Sequence, residues 1–304
     1  MGDVKRVLIT GATGFIGRAT VAAARDAGLK VVTVARSGAD HAIDLAAKDA
    51  KSQLVKAMAK CDAVIHLAAA MSGDAEAHRH LTIGGTQNLL AAMAEAGVGH
   101  LTLASSIAVF DTGQIPVGDD LTDACALENP AMSRDTYSGA KVRQEQLTRA
   151  ARLDSLSIVR PGIVYDDEHL WNAHLGVGLG PVLVRIGDAD SPLPMCHVSN
   201  CAMSLVQTTT GRMDDSFVAL DRDLPTRGQV IRAMKKQGWP KLVIPLPWQL
   251  LWAVAQATRP IASKLPGLLR SDVLRQRALP MGFDLRDPFD DALPRPASLW
   301  EGAA

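Results

Sequence analysis

Short apolar runs alternate with alanine-rich stretches through the first half of the chain. Val4–Thr10, Val31–Ala35, Ala63–Leu67, His100–Ala104 and Ser157–Arg160 are brief, mostly apolar and carry β-branched residues, the pattern of strands covered on both faces. Arg18–Ala27, Leu54–Ala59, Thr86–Ala96 and Tyr137–Ala151 lie between them and read as helices. Regular alternation of the two predicts an α/β fold of Rossmann type, a doubly wound parallel sheet with helices on both faces. After Pro161 the rhythm breaks. Gly176, Gly178, Gly180, Pro181, Pro192 and Pro194 punctuate the chain, and a further apolar helix is expected at Val198–Thr208. Residues 1–165 are therefore expected to form the sheet domain, and residues 166–304 mainly a smaller lobe over a substrate, parts of which can return to the sheet. The tail from Asp284, with Pro288, Pro294 and Pro296, is expected to be loosely ordered.

The first strand runs directly into Gly11-Ala12-Thr13-Gly14-Phe15-Ile16-Gly17 and then a helix. A strand, a glycine-rich turn and a helix N-terminus in that order aim backbone N–H groups and the positive end of the helix dipole at one point, which suits a dinucleotide pyrophosphate. Gly11 would permit the tight turn, Gly14 the approach of phosphate to backbone, and Gly17 close packing of helix on strand. The second strand ends Val34-Ala35-Arg36-Ser37. A carboxylate at that end would chelate the adenosine ribose, whereas Arg36 can pair with a 2′-phosphate and Ser37 can add a hydrogen bond. NADP(H) is thus favoured over NAD(H), against the plainer reading of Arg36 as a solvated loop arginine. Asp44 could meet the adenine amino group.

Tyr137 and Lys141 stand four residues apart, on one helical face. A phenol titrates near pH ~10, and a fixed ammonium beside it lowers that value toward one useful for proton transfer. On spacing alone this is an ordinary surface pair; the glycine turn upstream gives it meaning. Ser105 and Ser106 follow the strand ending at Ala104, at the edge where open α/β sheets bind ligands, although serines there also simply close turns.

Composition narrows the partners. Lys and Arg total 32 against 32 Asp and Glu in 304 residues, so a small-molecule partner is expected rather than nucleic acid. Cys61, Cys125, Cys196 and Cys201 are scattered, as reduced thiols of a cytoplasmic protein would be, and the first apolar segment does not read as a signal peptide. No metal site is expected: His78 and His80 are two apart, read as surface histidines on different faces of a helix. Leu242–Ala257 is apolar but carries Pro245, Pro247, Gln249 and Gln256 and is shorter than the ~20 residues of a membrane span. It reads as a lobe helix whose Trp248, Leu251, Trp252 and Val254 line a pocket, with bilayer contact, aided by Lys264, Arg270, Arg275 and Arg277, as the less favoured alternative.

Taken in order, these motifs resemble the extended short-chain dehydrogenase/reductases, the NAD(P)-dependent epimerase/dehydratase family. The resemblance rests on TGATGFIG, Asp62-Ala63-Val64-Ile65-His66-Leu67-Ala68-Ala69, Gly85-Thr86-Gln87-Asn88-Leu89-Leu90, Ser105-Ser106-Ile107-Ala108-Val109-Phe110, Tyr-x-x-x-Lys with Glu145, and Val159-Arg160-Pro161-Gly162-Ile163-Val164-Tyr165. It covers residue 4 to about residue 205. The resemblance implies Tyr137 as general acid/base, Lys141 as its partner and ribose ligand, and Ser106, three residues before Val109, as donor to the substrate oxygen. It further implies a cofactor site formed by Gly11, Thr13, Gly14, Phe15, Ile16 and Gly17, then Arg36, Ser37, Asp44 and Leu45, then Leu67, Ala68 and Ala69, with Pro161 and Ile163 near the nicotinamide. Helices Thr86–Ala96 and Tyr137–Ala151 are where family members pair as homodimers.

Departures bear on the substrate. Thr82 replaces the usual Asn before Gly-Thr, Ile163 and Asp166 replace the Asn and Gly of Arg-x-x-Asn-Val-Tyr-Gly, and His197-Val198-Ser199-Asn200 replaces His-Val-Asp-Asp. These resemble the hydroxysteroid dehydrogenase and dihydroflavonol reductase branches, so an NADP(H)-dependent oxidoreductase acting on an alcohol/ketone pair is expected. A nucleotide-sugar epimerase or dehydratase is the alternative, with Arg185, Arg212 or Arg232 available to a diphosphate, and a non-catalytic cofactor-binding subunit is the third reading.

Overall fold

In a computed structural model, which describes residues 3–71, 73–258 and 269–284, the apolar runs pair into a seven-stranded, wholly parallel sheet. Its strands are β1 (Arg6–Thr10), β2 (Lys30–Ala35), β3 (His41–Ala42), β4 (Ala63–His66), β5 (His100–Ala104), β7 (Ser155–Pro161) and β12 (Ser216–Ala219), in the order β12-β7-β5-β4-β1-β2-β3. Alternation along β1 divides two cores. Val7 and Ile9 face helices α1 (Phe15–Asp26) and α6 (Val198–Gly211), meeting Ile65, Leu205 and Phe217. Leu8 faces α2 (Ala50–Ala57) and α4 (Gly85–Ala96), meeting Leu54, Val64 and Leu89. Beside α4 packs α5 (Thr136–Ala150).

Two helices begin earlier than their sequence pattern suggests. α1 starts at Phe15 because Gly14 already serves as its N-cap, and α2 starts at Ala50, which is fully buried against the sheet. A short helix α3 (Ala75–His78) continues as a wide π-helical turn, Arg79–Gly84, into α4.

Beyond β7 the chain both returns to the sheet, through α6 and β12, and builds small layers over its edge. β8 (Ile163–Tyr165) pairs with β11 (Met195–His197), and β6 (Asp120–Thr122) with β14 (Gly282–Asp284). A three-stranded sheet joins β9 (Gly176–Leu179), β10 (Val182–Ile186) and β13 (Leu242–Leu246). Leu175, Leu183 and Met195 form a core there with Val230 and Met234 of α7 (Arg227–Lys236). The segment Leu242–Ala257 is thus not one helix. Its first part is β13, paired in parallel with β10, and Pro247 caps the separate helix α8 (Trp248–Ala257), which packs on α9 (Ser271–Arg277). Trp248, Leu251 and Trp252 pack into that contact, while Val254 is exposed. Among the described residues no helix is long and apolar enough to cross a membrane. Lys264 and the proline-bearing tail after Asp284 lie outside the described residues.

His66 and His100 are buried under the sheet's helices. His100 is 2.5 Å from Ser155 Oγ and 3.0 Å from the Thr209 carbonyl, and His66 is 2.7 Å from Thr10 Oγ1. Burial, reinforced by the charge of Lys141, holds His66 down to about 3, and burial also lowers His100. Both charge readily in the unfolded chain, whose histidines titrate near ~6.5. Stability is therefore expected to be full above pH ~6.5 and to fall as the pH drops toward His66's folded value. Thermal melts between pH 7.5 and 5 check this: His66→Asn should lower the melting temperature at pH 7.5 but flatten its dependence on pH.

Candidate active site

The strand order reverses between β1 and β4, leaving a crevice at the carboxyl ends of the strands. A cavity of about 1090 Å³ fills it. Gly11 has φ +69°, and a Cβ there would lie 2.9 Å from the Ala68 nitrogen, so a side chain would both strain the turn and strike the next strand's exit. At Gly17 a Cβ would collide with the Gly11 carbonyl oxygen and come within 2.8 Å of the Ala12 carbonyl carbon. The turn is tightened by Gly14 N–H donating to Gly11 O at 3.0 Å and by Arg18 reaching the Thr13 carbonyl at 2.8 Å. α1 has neither a capping side chain nor an acidic residue in its first turn, so its N–H groups and dipole face the cavity uncompensated.

Every other segment expected at the cofactor reaches the same cavity. Thr13, Phe15 and Ile16 line it at the turn, Leu67, Ala68 and Ala69 at the exit of β4, and Pro161 and Ile163 after β7. Arg36, Asp44 and Leu45 line it after β2, whereas exposed Ser37 is not on the wall. Asp40, also close to β2, is turned away: its Oδ2 accepts from Thr33 N–H and Thr33 Oγ1, both at 2.9 Å, and the Thr33 hydrogen bonds hold its pKa down. The residues fit a dinucleotide, with backbone N–H groups for the pyrophosphate and a guanidinium at the end reserved for adenosine.

Helix α5 presents its polar stripe to the middle of the cavity. Asp135 caps it, its Oδ1 accepting from Ser138 N–H at 2.7 Å, and Tyr137, Lys141 and Glu145 follow at one-turn intervals. Ser105 and Ser106, adjacent in sequence, do different work. Both line the cavity, but the Ser105 hydroxyl is committed, donating to Glu145 Oε1 at 2.6 Å, while Ser106 Oγ accepts from Ala108 N–H at 3.1 Å and lies on the same wall as the Tyr137 phenol. Burial raises the Tyr137 pKa above its ordinary value, the Ser106 hydroxyl draws it partly back and the Asp135 charge adds to the rise, so the phenol keeps its proton at neutral pH. Lys141 Nζ donates to the Ala104 carbonyl at 2.7 Å and to Gln144 Oε1 at 2.5 Å. Burial lowers it to about 8 against the opposing charge of Glu145. Burial works to raise Glu145 as well, but Arg160 overrides this with bonds of 2.9 and 2.8 Å to its two oxygens, helped by Ser105 and Arg149.

The second half of the chain closes the cavity with groups its sequence did not announce. Ala173 and His174 precede β9, and Gln276 and Arg277 end α9. Burial, with the charges of Arg277, Arg227 and Arg134, holds His174 down to about 3. Arg185, Arg212 and Arg232 are not on the wall. His78 is not a surface histidine. It is 3% exposed, lines the cavity and stands edge-on to Tyr137 with ring centroids 6.2 Å apart, while His80 is exposed near Glu76. The π-helical turn after His78 is the local feature that marks it, and a helical pattern does not reveal such a turn.

The sequence profile of the NAD dependent epimerase/dehydratase family matches residues 7–165, which hold both the glycine turn and the α5 stripe. The chain belongs to this family. A ketoreductase of Stigmatella aurantiaca, acting by its name on 4-hydroxy-2-methyl-3-oxo-4-farnesyl-3,4-dihydroquinoline-1-oxide, is 26% identical over 297 residues, 92% of this chain and 87% of that protein. An uncharacterized Mycobacterium tuberculosis protein is 33% identical over 128 residues, and the matched region spans only 14% of its length. Among solved structures, MoeE5 in complex with UDP-glucose and NAD superposes with a TM-score of 0.69 at 20% identity, covering 99% of this chain and 96% of its own. That likeness concerns the fold.

The turn geometry separates two of the family's glycines. Gly17→Ala, whose methyl meets rigid backbone, should destabilise the protein by about 1–3 kcal/mol. Gly14→Ala, whose Cβ would meet only the Gly11 oxygen, at 3.2 Å, should cost clearly less. Urea unfolding of the two variants checks the order.

Proposed function

We propose that the protein is an NADP(H)-dependent oxidoreductase that interconverts a ketone and an alcohol on a small organic substrate. The observation that carries this reading is that Ser106, Tyr137 and Lys141 line one cavity together with the glycine turn. A nicotinamide cofactor held along Gly11–Gly17 and Arg36 would supply or accept the hydride at the carbinol carbon. Tyr137 gives its phenolic proton to the substrate oxygen in reduction and takes it back in oxidation. Ser106 orients that proton and polarises the oxygen. Lys141 has two of its three N–H groups engaged by Ala104 and Gln144, and the third is available to a ribose hydroxyl. We read residues 166–304 as supplying the substrate side, through Ala173, His174, Gln276 and Arg277. The cavity wall is partly apolar, with Leu81, Ile107 and Val164, which suits a carbon skeleton. The Stigmatella relative, a ketoreductase by name, supports the same direction.

The placement of Arg277 favours a second reading, in which its guanidinium meets the diphosphate of a nucleotide sugar and the hydride returns to the same substrate carbon from which it came. Net NADPH consumption with a ketone separates the two, since an epimerase leaves its cofactor unchanged. Tyr137→Phe should lose about 100-fold or more in turnover while binding NADPH with unchanged affinity; full turnover in that variant would remove Tyr137 from the reaction. Arg36→Asp should weaken NADPH binding about tenfold or more and leave NADH binding equal or improved, as read by fluorescence titration with each nucleotide.

A further inference from the structure

Behind the cavity wall runs a chain of buried polar side chains that the proposed reaction does not use. Thr10, at the end of β1, is fully buried. Its Oγ1 accepts long hydrogen bonds from Leu67 and Ala68 N–H, at 3.3 and 3.4 Å, and meets His66 Nδ1 at 2.7 Å. The far nitrogen of His66 lies 3.0 Å from Thr86 Oγ1 and 3.2 Å from Gln144 Nε2. The Thr86 hydroxyl donates to the Thr82 carbonyl at 2.6 Å and accepts from Gln144 Nε2 at 2.8 Å. His66, Thr86 and Gln144 are each at most 1% exposed, and none lines the cavity.

The end of this chain is the Lys141 ammonium. An ammonium has only protons to offer, so it must face the amide oxygen of Gln144, and the amide nitrogen then faces Thr86 and His66. The amide cannot turn over without setting donor against donor at Lys141. The charged and titratable groups around the ammonium are few. Glu145 and Tyr137 share its helix, Arg160 on β7 is locked to Glu145, and His66 on β4 stays neutral because it is buried. Apart from the Ala104 carbonyl of β5, Gln144 is the protein group that holds Nζ.

We propose that Gln144 is a positioning residue for Lys141: anchored on Thr86, its amide oxygen holds the ammonium against the Ala104 carbonyl and keeps one N–H free toward the ribose end of the cavity. The chain through His66 and Thr10 ties this anchor to Leu67 and Ala68, so the ammonium and the wall expected to meet the cofactor are set by one buried network. Removing an acceptor from a buried cation favours the neutral amine and releases the side chain. The inference rests on the role given to Lys141 above, and the first measurement is made without cofactor or substrate to keep the two apart.

Lysine Cε and Nζ NMR signals of the lysine-labelled protein report the titration directly, with Lys141 identified by its absence in Lys141→Arg. In Gln144→Leu the proton affinity of Lys141 should fall tenfold or more from the wild-type midpoint of about 8. The NADPH dissociation constant should rise about tenfold, and Gln144→Glu, which keeps an acceptor in place, should restore the midpoint or raise it. An unchanged Lys141 titration in folded Gln144→Leu overturns the proposal. A lowered titration with unaltered NADPH affinity upholds the holding of Lys141 and overturns its role at the ribose. Where circular dichroism shows Gln144→Leu unfolded, Thr86→Val removes the anchor alone and should move the same two readouts in the same direction; no movement overturns the proposal.

Discussion

Placing an ammonium 3% exposed at the edge of a sheet commits much of the surrounding structure. The Glu145 charge works against that burial, and the Ala104 carbonyl and the Gln144 amide replace the water Lys141 lost. Those acceptors need fixing in turn. Ala104 is the last residue of β5, where the carbonyl is no longer engaged along the strand, and Gln144 is steadied by Thr86 at the start of α4. One turn further along α5, Glu145 binds Arg160 of β7 and Ser105 after β5, pinning the helix across two strand ends. The polar stripe of α5 is thus its packing surface, and Tyr137, at the stripe's open end, inherits its position from the buried pairs below.

A second constraint acts at the other side of the crevice. β1 can enter α1 so abruptly only if the backbone of the turn touches both the helix and the exit of β4, which leaves no room for a Cβ at Gly11 or Gly17. The closeness that forbids side chains also strips the turn of anything that would cover the helix N-terminus. Thr10, just before the turn, bonds toward His66 and the backbone after β4, so the two sides of the crevice share one buried network. The residues that match the family profile, 7–165, contain both of these constraints.

Legibility in the sequence tracked the range of the interactions involved. The alternation of strands and helices was readable because burial on both faces leaves a local signature, and two helix starts moved by about a turn, where a glycine cap or a buried alanine began the helix early. The choice of Ser106 over Ser105 came from resemblance to a family and acquired a physical basis in Glu145, which takes the Ser105 hydroxyl. Leu242–Ala257 was misread as one helix because apolar content does not distinguish a strand seated beside β10 from a helix, even with Pro247 marking the break. His78 was misjudged because the π-helical turn that buries it beside Tyr137 has no simple periodic pattern.

The sequence by itself determined the α/β architecture, the family, the glycine turn and the Tyr137–Lys141 pair, since each depends on residues close together along the chain. Tertiary structure alone decided which groups share the cavity: it brought in His78, His174 and Arg277, and left Ser37, Arg185, Arg212 and Arg232 off its wall. It also decided that Lys141 would be held by Gln144 and Ala104. The physical reason is that burial and hydrogen-bond partnership belong to the space between elements, and β5, α4 and α5 meet there only after the sheet has ordered its strands.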